Sequence, residues 1–249
     1  ALPIFRALLL RPEAVASGKT LIVRVNALNT AHFAADVAAV VQPGLDVLNL
    51  PKPASAQAVR EAVQLIAQAE KNNGVKQPIR LLLNIETPKA LREAAQLGQA
   101  DPRVMGLQVG LGDLFEPLGI ERREVAAVQQ VMLAVRLAAG EAGVDAFDGA
   151  FANVADTDGY LAEAQLAHRM GLSGKTCIHP SQIALANQVF RPTDAQIRHA
   201  TKVVEAARQF DAAGQGAFLV DGHMIDVPFL RRAENILLQA QRMNISLTA

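Results

Sequence analysis

The sequence predicts an α/β fold built on a parallel sheet, and three observations carry that reading. Short runs rich in Leu, Ile and Val alternate with longer helical patterns along most of the chain. Several of these runs are apolar at every position, as strands covered on both faces are. Of the 249 residues 51% are hydrophobic but only 4% aromatic, so Ala, Leu and Val must fill the core. With 19% charged residues, the chain has ample apolar content to escape disorder.

Taken in order, the chain opens on ALPIFRALLLRPE. That segment lacks the ordered basic and small-residue signals of a secretory leader and reads as a helix. Strands are expected at residues 21–26, 45–50, 79–86, 104–110, 146–151 and 176–179. Helices are expected between them, at 31–41, 55–71, 88–98, 122–142, 159–170 and 181–190. Pro88 suits a first helical turn and Gly171 a helix stop. Six strands each followed by a helix leave the architecture open. A closed (β/α)8 barrel needs eight, whereas an open doubly wound sheet can use six. A tail follows, with a helix at 194–212, the glycine-rich AAGQGAF, the segment LVDGHMIDVP and a helix at 229–242. The expected division is therefore a barrel-like domain at 1–192 and a lid or extension at 193–249.

Composition removes several function classes. Twenty-four basic residues balance 24 acidic ones, which argues against a nucleic-acid or membrane-surface partner. The single cysteine, Cys177, excludes an internal disulfide framework and a Cys-rich zinc site. No uninterrupted apolar run approaches the roughly 18 residues of a membrane span. A cytoplasmic location is the expectation.

Ligands of parallel α/β folds sit at the carboxyl ends of the strands. Arg24 and Asn26 end the first expected strand, Lys52 follows the second and Glu86 ends the third. Asp113 follows the fourth, Asp148 and Asn153 flank the fifth, and His179 ends the sixth. Glu86 and Asp113 lie 27 residues apart, about one βα unit. They should end adjacent strands about 4.8 Å apart. Two such carboxylates need a shared proton or a cation, and Mg2+ takes one or two carboxylates plus substrate and water. The structural alternatives are a helix N-cap for Asp113 and a solvated loop carboxylate for Glu86. Arg24, inside an apolar strand, either pairs with a structural carboxylate or binds an anion. Lys52, between two prolines, is either a surface lysine or a ligand group, and His179 a core histidine or a ligand. GLGDL lacks the spacing of a dinucleotide or P-loop fingerprint, and no nucleophile elbow occurs.

The strings RVNALNT, LPKP, NIETPKAL, GLGDL, SGKTCIHPSQI and GHMIDVP carry a family resemblance. In this order, from about residue 21 to 237, the chain resembles the citrate lyase β-subunit-like proteins. That family includes stand-alone malyl-CoA and citramalyl-CoA lyases within the wider HpcH/HpaI aldolase superfamily, and GKTCIHPSQ and GxMID are similar to the strings of that branch. The resemblance implies a TIM barrel with a C-terminal lid, the six strands here being similar to its strands three to eight. The first two strands are missing from the residues read, which suggests a start downstream of the natural one. By position, the resemblance implies Glu86 and Asp113 as Mg2+ ligands and Arg24 as the substrate-binding arginine beside the thioester carbonyl. It implies Asp226 as a lid acid/base reaching a neighbouring subunit's site, and Lys52 as a group that positions the acyl-CoA. A homotrimer or hexamer is implied too. Three departures stand out: Asn153 replaces a common Asp, Gly112 a common Glu, and Pro88 a small residue.

The function implied is a Mg2+-dependent C–C lyase that cleaves a 3-hydroxyacyl-CoA to acetyl-CoA and a 2-keto acid. One alternative is a class II keto-acid aldolase without CoA, which shares ET and GxxDL but not GHMID. The other is a catalytically silent acyl-CoA-binding subunit.

Overall fold

The computed structural model describes residues 2–211 and 217–245. Two compact units divide the chain, Ala1–Ala186 and Asn187–Ala249. The first begins with α1 (Leu2–Leu9) and α2 (Pro12–Ala16). Five βα steps follow: β1 (Ile22–Arg24), α3 (Phe33–Val40), β2 (Val47–Leu50), α4 (Ala56–Asn73) and β3 (Arg80–Ile85). The chain continues through α5 (Pro88–Arg92), α6 (Ala94–Gly98), β4 (Val104–Val109), α7 (Leu111–Phe115) and a 3-10 turn, Glu116–Leu118. Last come α8 (Val125–Ala142), β5 (Asp145–Phe147), α9 (Thr157–Arg169) and α10 (Ser181–Phe190), which leads into the second unit.

The five strands are parallel and their spatial order is their chain order, β1 to β5. That order decides what strand count leaves open. A doubly wound sheet reverses direction at a switch point, whereas a barrel wall adds each new strand on the same side. The sheet is a run of TIM-barrel wall. β2 and β3 are its buried centre, with Val47, Leu48, Leu50, Leu81, Leu83 and Ile85 wholly covered. One face also carries polar groups in register: Asn49 Nδ2 donates to Asn84 Oδ1 at 2.7 Å and to Leu82 O at 3.1 Å. Buried amides persist there because they satisfy one another.

The sixth expected strand does not form. An isolated parallel bridge joins Asp148 to Lys175, and no ladder follows it through residues 176–179. Their side chains are half-covered or exposed, Ile178 among them, so no apolar face exists to hold a strand down. The single helix expected at 88–98 breaks at Glu93 into α5 and α6. The break lets Gly98 press on α8, where an added Cβ would lie 2.6 Å from Ala142 Cβ.

Local chemistry sets the helix ends. Ser55 Oγ accepts from Ala58 N at 3.1 Å to start α4, and left-handed Gly74 stops it. Thr87 caps α5 with Pro88 in its first turn. α8 is the one helix among the described residues long and apolar enough to cross a membrane. Its stripe of Val128, Val131, Met132, Val135 and Ala139 is instead buried, and the helix packs on β4 and β5.

The second unit holds α11 (Asp194–Asp211), the hairpin β6 (Phe218–Val220) and β7 (His223–Ile225), and α12 (Val227–Arg242). Asp221 and Gly222 both have positive φ, the requirement of a tight two-residue hairpin turn. Gly222 is thus a turn residue, while Gly214 and Gly216 of the expected glycine-rich turn lie outside the described residues. Ala200, Val203, Val220, Ile225 and Ala233 form this unit's own core.

Gly149 packs directly on the Val109 carbonyl, which an added Cβ would strike. Gly149→Ala is expected to lower stability by about 1–3 kcal/mol, read as a reduced urea midpoint. Gly112→Ala meets no atom within 4 Å and is expected to shift stability by less than about 0.5 kcal/mol.

Candidate active site

A cavity of about 440 Å³ opens at the carboxyl ends of β1, β3, β4 and β5. Arg24, Glu86, Asp113, Arg122, Arg123 and Asn153 all contribute to its wall. Arg24, the last residue of β1, pairs in register with Asn49, so it shares the polar face of the sheet. Glu86 follows β3 and is 97% buried, with 3% of its surface left to solvent. Asp113 lies in the first turn of α7 and is half-exposed.

The Glu86 carboxylate is held rather than neutralised. Lys52 N donates to its Oε1 at 3.0 Å, and Arg24 approaches the same oxygen at 4.0 Å. Oε2 accepts no hydrogen bond from the described residues. Gly110 makes room for this side chain, because a Cβ there would collide with Glu86 Cβ and lie 2.8 Å from Oε2. Burial pushes the Glu86 carboxyl above the usual carboxylate range, Arg24 opposes it, and Asp113 adds to it. Lys52 joins the two acids: its Nζ donates to Asp113 Oδ1 at 3.0 Å. Its backbone has φ +48°, a left-handed conformation rare outside glycine.

Four residues singled out from sequence therefore converge: Arg24, Lys52, Glu86 and Asp113. Among the described residues no group of three or more His, Cys, Asp or Glu forms a metal cage. Two adjacent carboxylates, one with a free oxygen, nevertheless suit Mg2+, which keeps waters and takes its other ligands from substrate. Asn26 does not join them; its backbone N and side-chain Nδ2 both donate to buried Asp36, at 2.8 and 2.7 Å. His179 is exposed, with its Nδ1 2.9 Å from Ser181 Oγ. Asp226 lies in the second unit as the residue before α12, where it makes no side-chain cap. Its Oδ1 is buried without a hydrogen-bond partner among the described residues.

Sequence reasoning missed Lys175. Its fully buried ammonium donates to Asp148 Oδ2 at 2.5 Å, Glu163 Oε1 at 2.6 Å and Gly149 O at 3.1 Å. Arg122 clamps Glu163 through both nitrogens at 2.9 Å and donates to Ala150 O at 3.1 Å. Burial alone raises a carboxyl pKa; Asp148 stays raised, but hydrogen bonds from Arg122 and Lys175 hold Glu163 below its ordinary value. The GKT string carries no periodicity, so only the buried acid at Asp148 gave a clue.

Two outcomes follow. Lys175→Met leaves buried Asp148 without its cation and takes one donor from Glu163, and is expected to cost about 3–5 kcal/mol, measured by chemical denaturation. Because the Glu86 carboxyl titrates above its unfolded value, the stability it lends is present at low pH and lost as pH rises through that window. Glu86→Gln is therefore expected to gain in melting temperature over the parent chain as pH rises, in buffer free of divalent ions.

A family model described as HpcH/HpaI aldolase/citrate lyase matches residues 4–180. The citrate lyase subunit beta of Escherichia coli is 35% identical over 227 residues, 90% of this chain and 75% of that protein. The L-malyl-CoA/beta-methylmalyl-CoA lyase of Rhodobacter capsulatus is 28% identical over 248 residues, 91% of this chain and 78% of that protein. The crystal structure of CitE from Mycobacterium tuberculosis, in complex with magnesium, acetoacetate and coenzyme A, is 31% identical with a TM-score of 0.66. It covers 88% of this chain and 78% of that one. This chain is an enzyme of the HpcH/HpaI aldolase/citrate lyase family.

Proposed function

We propose that the protein is a Mg2+-dependent lyase that cleaves a 3-hydroxyacyl-CoA of the citramalyl-CoA or malyl-CoA type. The observation that carries the reading is the convergence of Arg24, Glu86 and Asp113 on one cavity, with Lys52 bonded to both acids. The malyl-CoA lyase relative and the CitE complex support the substrate class.

Glu86 and Asp113 are the residues that would hold the magnesium. When bound, the ion supplies Lewis-acid polarisation and a template for the keto acid's oxygens. The chain's own groups do the rest. The C2–C3 bond of the acyl chain breaks as the 3-hydroxyl gives its proton to solvent water, and the bonding pair moves onto the acetyl unit as a thioester enolate. Arg24 brings a fixed positive charge to the enolate oxygen, a contribution that is large in a water-poor site. Asp226 donates a proton to the enolate carbon, which yields acetyl-CoA, and takes one up in the reverse direction. The unpartnered Oδ1 of Asp226 supports this role, since no structural hydrogen bond uses it. The lid carrying it would act in a homotrimer or hexamer, reaching a neighbouring subunit's site.

The test is an assay of (S)- and (R)-citramalyl-CoA, malyl-CoA and citryl-CoA with Mg2+ or EDTA, following acetyl-CoA and keto acid. Cleavage of one substrate that EDTA abolishes is expected. Pyruvate condensing with an aldehyde, with every thioester untouched, would assign the CoA-independent aldolase activity instead. Asp226→Asn is expected to lower kcat by about 10²–10⁴, and an unchanged rate removes Asp226 from the chemistry. Asp113→Asn is expected to cost about 10² or more in kcat/KM.

A further inference from the structure

Lys52 has an unusual position for a residue meant only to meet substrate. Its backbone N–H lies 3.0 Å from one of the paired carboxylates and its ammonium 3.0 Å from the other. The connection is local and constrained. Pro51 and Pro53 flank Lys52, and its φ of +48° turns the N–H onto Glu86 while the side chain runs to Asp113. The contact with Glu86 is a backbone contact to a buried oxygen, so it is fixed. The contact with Asp113 joins two half-exposed groups, and a flexible four-carbon stem carries the ammonium. One half of this residue is therefore structural and the other is free to move.

An ammonium on Asp113 Oδ1 and a divalent cation on the same carboxylate repel each other at that distance. The two therefore compete for its negative charge, and the divalent ion is the stronger competitor. We propose that the Lys52 ammonium is a counter-ion exchanged for the metal: it neutralises Asp113 in the metal-free protein and leaves when the divalent cation arrives. This inference rests on the reading of Glu86 and Asp113 as the metal pair. Once displaced, the ammonium stays beside Asp113, tethered by the backbone contact to Glu86, and turns to the next anion available, that of the substrate. Metal entry thereby creates a vacant positive charge for the acyl-CoA, and the metal precedes the substrate. Arg24 does not behave this way, since its guanidinium stands 4.0 Å from Glu86 and makes no hydrogen bond to either acid.

The experiment is a calorimetric titration of the chain with Mg2+ alone, without substrate, beside Lys52→Met, Lys52→Gly and Asp113→Asn. Lys52→Gly keeps the N–H on Glu86 and relieves the left-handed backbone, so it controls for folding. Loss of an exposed competing ion pair is expected to tighten Mg2+ binding by about three- to fivefold in both Lys52 variants. A second readout is the rate at which acetic anhydride modifies Lys52, followed by peptide mass spectrometry. That rate is expected to rise when Mg2+ is added to the parent chain and to stay constant in Asp113→Asn. Mg2+ affinity indifferent to both Lys52 variants but lost in Asp113→Asn would overturn the exchange and leave the metal pair standing. Binding unaffected by Asp113→Asn, or none at all, would overturn both.

Discussion

Burying the carboxylate of Glu86 at the end of β3 is the constraint around which the rest of the site is arranged. A carboxylate with 3% of its surface exposed loses most of its hydration, and only partners restore it. The chain supplies fewer than a structural acid would receive. Lys52 gives one N–H, Arg24 stands at the limit of an ion pair, and Oε2 is left over. Several local features exist only to permit this. Gly110 must lack a side chain because Glu86 fills that volume, and Lys52 must adopt a left-handed backbone to point its N–H inward. The group is held in place yet under-neutralised, as a site that expects a cation would be.

The second set of buried acids shows the contrast. Asp148 and Glu163 are as deeply placed as Glu86, but Lys175, Arg122 and backbone groups answer their charge almost completely. Such a network resists change because removing one member strands the others. It ties the loop after Gly174 to the end of β5, where a sixth strand would otherwise be needed. It also fixes Arg122, whose guanidinium borders the cavity. Complete neutralisation marks a strut, whereas Glu86 keeps a buried charge that its neighbours answer only in part.

This difference explains what could be read in the sequence and what could not. Strands β1 to β5 and the helices of the first unit follow from apolar runs, periodicity and caps such as Ser55 and Thr87, all local signals. The convergence of Arg24, Lys52, Glu86 and Asp113 was legible because strand ends in a parallel sheet share one rim. Lys175 was not, since its partners lie 27 and 12 residues away and a lysine in a polar string reads as surface. Asn26 misled for the converse reason: it ends an expected strand, yet the shorter real strand stops at Arg24 and leaves it to bind Asp36. The Asp221–Gly222 hairpin was readable from the Asp-Gly pair and passed over in favour of a generic lid.

Two of the three departures from the resembled family acquire a physical meaning. Gly112 and Asn153, which stand where Glu and Asp are common, both border the cavity. A side chain at Gly112 would enter open space, so the glycine is not required by packing. Neither change relieves a clash or completes a core, and each removes a negative charge from the wall. The cavity keeps Glu86, Asp113 and Glu116 against Arg24, Arg122 and Arg123. Arg122 is already committed to Glu163 and Arg123 to Asp156, so Arg24 is the cation of the three left closest to an uncommitted acid. Fewer wall carboxylates leave that guanidinium a stronger attractor for an incoming anion. On the reading of Glu86 and Asp113 as a metal pair proposed above, the same loss would leave a divalent ion more dependent on those two carboxylates and on substrate oxygens, and would tie substrate affinity to metal affinity.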